Sequence, residues 1–209
     1  MPPRAHPDTG PHPDPPARLA RRPLPLLAEA GPWLRVHRRD RDPLFFGRTG
    51  LHRFDAPEGE YGVLYAAADA HGAFVETFGR TGGERLVTTS GLAARALARI
   101  EAARPLRLVD LAGPGLARLG ADARLTTGSY RVAQRWALAL WRHPDAPDGL
   151  LYRCRHDPSR HAVAVFDQAA EALRAVPVGA LADPEQAPLL ADVLATYGFG
   201  LLDDLPGRA

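Results

Sequence analysis

Three short stretches, in a fixed order, carry reactive or charged side chains in or beside apolar segments. Leu34-Arg35-Val36-His37-Arg38 comes first. Tyr61 to Ala67 follows, with Phe74-Val75-Glu76-Thr77 close behind it. Asp148 to Asp157, which includes Tyr152-Arg153-Cys154-Arg155, closes the set. Burying an arginine or a glutamate costs several kcal/mol unless it is paired or binds something. An Arg, a Tyr and a Glu carried by one small domain therefore describe a site for an anionic ligand on which positive charge develops.

Other chemistries lack their residues. The single cysteine, Cys154, cannot form a Cys-x-x-Cys zinc site. The eight histidines are scattered and no His-Glu-x-x-His helix occurs, so no metal site is expected. A Walker-type phosphate loop needs a lysine, and the chain has none. Gly113-Pro114-Gly115 follows an expected strand but lacks the third glycine of a dinucleotide fingerprint. Gly-x-Ser-x-Gly is absent too.

Charge and composition narrow the class. The 26 basic residues, all arginine, face 24 acidic ones, which is too balanced for a broad nucleic-acid surface. No apolar run approaches the roughly 18 residues of a membrane span. The first thirty residues, rich in Pro, Arg and His, lack the apolar core of a secretory signal. A cytoplasmic protein is expected, and the lone cysteine agrees with a reducing compartment.

The elements that must position the charged stretches follow from pattern. Met1 to about Leu27 has no periodicity, so residues 1–30 read as a disordered or loosely packed tail. Trp33 to His37 alternates as a half-buried strand does. Asp40 to Gly59 reads as a long loop. Val63 to Ala67 reads as a strand, and a short helix covers Phe74 to Phe78 after the turn at His71-Gly72. Gly91 to Ala103, rich in Ala and Leu, is expected to be a helix ended by Pro105. Strands are expected at Leu106 to Leu111, Leu150 to Cys154 and Ala162 to Phe166, the last two separated by a polar loop, His156 to Arg160. Gly128-Ser129 offers a cap for a helix from Tyr130 to Trp141, and Asp183 to Tyr197 holds a final helix. Helices and strands mix without a regular βαβ rhythm, which makes the class α+β.

Taken in order, the charged stretches resemble the RES domain, a family named for its Arg, Glu and Ser. Arg35 in Leu-Arg-Val-His-Arg matches the family arginine, and Arg53-Phe54 looks like its Arg-Phe motif. Tyr65 in Leu-Tyr-Ala-Ala and Glu76 in Phe-Val-Glu-Thr match its tyrosine and glutamate. The serine position falls at Cys154, a departure, and His161 is a second one. The resemblance covers roughly Trp33 to Asp167 within a domain spanning 31–209, whose C-terminal helix is an extension.

The resemblance implies a compact single domain with a small central sheet, similar to ADP-ribosyltransferases. It implies NAD as substrate, cleaved at the nicotinamide–ribose bond by hydrolysis or phosphorolysis, and no resident cofactor or metal. It implies a toxin paired with an antitoxin that carries a helix-turn-helix domain. In that frame Glu76 stabilises the oxocarbenium-like state. Arg35 and Arg53 clamp the pyrophosphate, Tyr65 stacks on nicotinamide or ribose, and Cys154 completes the pocket.

Bland roles stand beside these. Glu76 could lie on a solvated helix face or pair with Arg80 one turn later. Arg35 could be a strand-edge charge, Arg53 a loop charge, Tyr65 a core residue and Cys154 a small buried hydrophobe. Two other functions stay open: a catalytically silent domain that binds a nucleotide or a partner, and transfer of ADP-ribose to a protein.

Overall fold

The computed structural model describes residues 12–79 and 85–204. Among them the central element is an eight-stranded sheet in an α+β arrangement. Its strands are β1 (Leu26–Glu29), β2 (Trp33–Arg38), β3 (Val63–Ala67), β5 (Arg95–Ala102), β6 (Leu106–Asp110), β7 (Gly149–Arg153), β8 (His161–Phe166) and β9 (Leu173–Ala180). They lie in the order β1-β6-β7-β8-β3-β2-β5-β9. Only β6 and β7 run parallel; the other neighbours are antiparallel. Two short strands, β4 (Leu86–Thr88) and β10 (Gly200–Leu202), form a separate parallel pair.

Both faces of the sheet are covered, which is why β3 and β8 read as nearly continuous apolar runs. After two short helices, α3 (Pro114–Arg118) and α4 (Arg124–Thr127), comes α5 (Tyr130–Trp141), which covers one face and turns Val132, Ala133, Trp136, Ala137 and Leu140 inward. Further along, that layer is continued by α1 (Ala70–Phe78) and α6 (Ala187–Tyr197), which enclose Leu97 with Phe74, Val193 and Phe199. The other face buries Trp33, Leu64, Ile100 and Val163 against Phe46, Ala169 and Leu173. Ser129 stands at the N-cap of α5, but its side chain makes no capping bond.

Two expectations fail. The Ala- and Leu-rich stretch from Gly91 is helical only through α2 (Thr89–Ala93) and then becomes strand β5. Alternation explains it: Ala98 and Ile100 sink into one face, Leu97 into the other, and β2 and β9 supply ladders on both sides. Tertiary pairing overrides alanine's helical preference.

The supposed tail also packs, from His12 onward; residues 1–11 lie outside the described residues. Leu19 and Leu24 are buried, and β1 pairs with β6. Trp136 Nε1 donates to the Pro13 carbonyl at 2.9 Å, and Asp14 pairs with Arg135. Each buried leucine is worth about 1.5–3 kcal/mol, enough to hold an aperiodic segment in place.

Candidate active site

The site begins with a break in the sheet. β2 pairs with β5 along Trp33–Arg38 but meets β3 only at Leu34↔Ala67. Beyond that point the two strands part. The edge that β3 would offer β2 is taken by the loop, where Gly47 and Val63 exchange two backbone hydrogen bonds of 2.9 Å. A cavity of about 390 Å³ occupies the opening. Five consecutive β2 residues, Leu34 to Arg38, border it. Neighbouring side chains on a strand point to opposite faces, so the cavity lies against the strand's edge.

Arg35, Arg53, Tyr65 and Glu76 all line this cavity. Among the described residues six arginines border it (Arg35, Arg38, Arg41, Arg53, Arg95 and Arg155) against two carboxylates, Asp42 and Glu76. Arg35 donates from Nη2 to the Phe45 carbonyl at 3.0 Å, while its Nη1 is buried with no partner. Burial lowers its pKa to about 10, against the pull of Asp42. It remains a cation at neutral pH.

Arg53 donates from Nη1 to the Gly128 carbonyl at 2.9 Å and lies over the Tyr130 ring, 4.6 Å from its centre. Its Nη2 is also buried and unpartnered. Burial lowers its pKa and nearby Arg155 pushes the same way, whereas Glu76 opposes them. Buried donors are normally satisfied. Two arginines that each keep an unsatisfied donor border one cavity, and charge-assisted bonds to an anion are what such groups favour.

Tyr65 is fixed at its tip. Its hydroxyl donates to Asp55 Oδ1 at 2.9 Å and accepts from the Phe54 amide at 3.0 Å. Burial, then Asp55, raise its pKa well above the ordinary phenol range. The ring is therefore a wall of the cavity, 5.5 Å from the His52 ring. Asp55 is fully buried and also accepts from Thr49 Oγ1 and the His52 amide, which locks the loop that carries Arg53.

Glu76 comes from α1, whose cap is Asp69: its Oδ1 accepts the Gly72 amide at 2.8 Å. Glu76 Oε1 accepts the His156 amide at 3.1 Å. The His156 ring sits on the end of α1, where a side chain at Gly79 would come within 2.9 Å of it. Arg80, the partner weighed for Glu76 above, lies outside the described residues.

Cys154 is not among the lining residues. It is 1% exposed and lies in the apolar core on the same side as Leu150 and Tyr152, beside Gly72. Burial, then Glu76, push its thiol up to about 12. Period-2 alternation from Leu150 through Tyr152 already sends Cys154 inward and Arg155 outward.

Sequence reasoning missed Tyr130, Arg155, His52 and His156 as cavity residues. Tyr130 reaches the cavity through the packing of α5, which no local pattern records.

The RES domain model matches residues 32–189, well over half of the chain. The chain belongs to the RES domain family. It is 33% identical over 98 residues to a probable toxin, y4kH, of Sinorhizobium fredii (strain NBRC 101917 / NGR234), an alignment covering 46% of this chain and 76% of that protein. Its fold is similar to a chain in the crystal structure of the M. tuberculosis MbcT–MbcA toxin–antitoxin complex. There the TM-score is 0.57 at 19% identity, covering 79% of this RES protein and 92% of that chain. Among the described residues no helix is long and apolar enough to cross a membrane.

Proposed function

We propose that this RES domain is a cytoplasmic toxin that consumes NAD by cleaving its nicotinamide–ribose bond. The observation that carries the reading is that Arg35 and Arg53, each with a buried guanidinium nitrogen that lacks a partner, border one cavity with Glu76. A dinucleotide brings the diphosphate that arginine binds best. It also brings a glycosidic bond whose rupture creates positive charge beside a carboxylate.

The chemistry asks little of the protein. The bond from ribose C1′ to the ring nitrogen breaks, and its electron pair stays with nicotinamide, which leaves neutral. The remaining oxocarbenium-like ribose is stabilised by Glu76, held in place by the His156 amide. A water oxygen then attacks C1′ and gives up a proton, yielding ADP-ribose. Alternatively, a phosphate oxygen attacks and yields its 1-phosphate. Arg35 and Arg53 hold the diphosphate, and the Tyr65 and Tyr130 rings form walls for flat groups.

The relatives named as a probable toxin and as part of a toxin–antitoxin complex support the toxin role and, with it, an antitoxin partner, which we take to carry a helix-turn-helix domain. The test is to incubate purified protein with NAD, with and without phosphate, and identify the products by chromatography. ADP-ribose alone means hydrolysis, and the 1-phosphate means phosphorolysis. Intact NAD under both conditions would leave a silent binding domain.

A further inference from the structure

We infer that Tyr197, on the C-terminal helix, is a positioning residue for the Glu76 carboxylate. The inference rests on the reading of Glu76 given above. Tyr197 lies outside residues 32–189, the part that matches the family. It is the last residue of α6, and it reaches the site through one carboxylate.

That carboxylate is Asp157, in the loop between β7 and β8. Its Oδ1 accepts from Ser159 twice, at 3.1 Å from the amide and 2.5 Å from the hydroxyl. Its Oδ2 accepts from Arg160 Nε at 2.9 Å and from the Tyr197 hydroxyl at 2.8 Å. Arg160 also bonds Asp69, the residue that caps α1. One network thus joins the cap of the helix that carries Glu76, the loop whose His156 amide holds Glu76, and the end of α6.

Two members of this network come from outside the loop: Asp69 at the start of α1 and Tyr197 at the end of α6. Arg160 and Ser159 belong to the loop or its edge, and they move with it. Tyr197 is anchored elsewhere: α6 is seated by Val193 and followed by Phe199, which meets Phe74 of α1 edge to face at 5.7 Å. Its hydroxyl therefore fixes the loop relative to the α1–α6 layer. Burial, then the bond to Asp157, raise its pKa to about 12, so it stays a donor across the physiological range. Without that hydroxyl the loop keeps its internal turn and the Arg160–Asp69 pair but loses its tie to α6, so its seat against the layer that carries Glu76 rests on one contact fewer. A misplacement of the order of 1 Å at a reacting group can cost about a hundred-fold in rate.

The test is Tyr197→Phe in the full chain, read in two ways. Hydrogen exchange followed by NMR reports the His156 amide directly and needs no substrate. It should quicken about tenfold while the amides of β7 and β8 stay protected. In NAD turnover, kcat should fall about tenfold with KM within about twofold, because the carboxylate and not the ligand clamp is displaced. Asp157→Asn should reproduce both effects, and the double variant should add little. An unchanged His156 exchange rate in Tyr197→Phe overturns the inference. So does faster exchange with an unchanged kcat. If the wild-type protein leaves NAD intact, the catalytic reading of Glu76 fails, while the exchange rate still decides whether Tyr197 positions it.

Discussion

Arginine meets buried polar groups in two ways at two places. At the junction of β6 and β7, Arg104 closes on Asp148 with two hydrogen bonds of 2.7 and 2.8 Å, and the Arg107 amide adds a third. Burial alone would raise the Asp148 pKa; those donors outweigh it and hold the carboxyl below its ordinary value. Between β2 and β3 the reverse holds. Arg35 and Arg53 each spend one arm on a backbone carbonyl and leave another buried nitrogen without a partner. The junction is complete in itself, whereas the arginines of the cavity keep unmatched donors, which the proposed anionic ligand would call on. A satisfied pair reads as structure, and an unsatisfied cation beside a carboxylate reads as a binding site.

The comparison can be broken at either end. The largest effect belongs to Glu76→Gln, which keeps the shape and removes the charge. NAD turnover should drop about a hundred-fold or more, with the melting temperature little changed. A variant that turns over like wild-type would remove Glu76 from the chemistry.

Next in size is the clamp. Arg35→Met and Arg53→Met each delete a charge-assisted bond to the ligand, worth about 1.5–3 kcal/mol, so KM should rise about 10- to 100-fold. Thermal stability should hold, because each substitution also removes a buried donor that nothing satisfies. At the junction the pattern inverts. Asp148→Ala leaves the Arg107 amide unpaired and Arg104 with only the Pro105 carbonyl, and should cost about 1–3 kcal/mol by denaturant melts, with KM for NAD unmoved. The lower part of that range reflects Arg104, whose half-exposed side chain water can satisfy.

A smaller effect follows acid. Asp157 is held down to about 2, first by Ser159 and also by Tyr197, with burial acting the other way. An acid whose pKa is lower in the folded state stabilises the fold above its ordinary pKa and loses that contribution as protons bind. The loop's contribution should therefore be intact above about pH 4 and fade toward pH 2. His156 amide exchange across that window checks it, and Asp157→Asn should flatten the profile. The smallest effect is expected of Cys154→Ser. A hydroxyl placed in this apolar spot costs about 1 kcal/mol, lowers the melting temperature by a few degrees, and leaves NAD turnover near wild-type.

Much of the site was legible because its residues sit in short local patterns. The alternation around Arg35 and the run ending in Tyr65-Ala66-Ala67 gave the two strands that border the cavity, and Phe74-Val75-Glu76 gave a helix. What escaped was set by distant contacts. β5 looks helical until β2 and β9 flank it. Leu19 and Leu24 have no periodicity and bury anyway, because the core they join comes from elsewhere in the chain. Cys154 was assigned by its place in a motif, although alternation with Tyr152 already turned it inward. Tyr197 meets Asp157 across 40 positions of chain, and no spacing rule spans that distance.

The most direct measurement is a calorimetric titration of NAD into Glu76→Gln protein, which should bind without consuming its ligand. The cavity predicts binding at one site, weakened about 10- to 100-fold when Arg53→Met is added and unchanged when Arg104→Met is added instead. No binding to Glu76→Gln, or binding that ignores Arg53 and follows Arg104, would contradict the claim that the opening between β2 and β3 holds the dinucleotide.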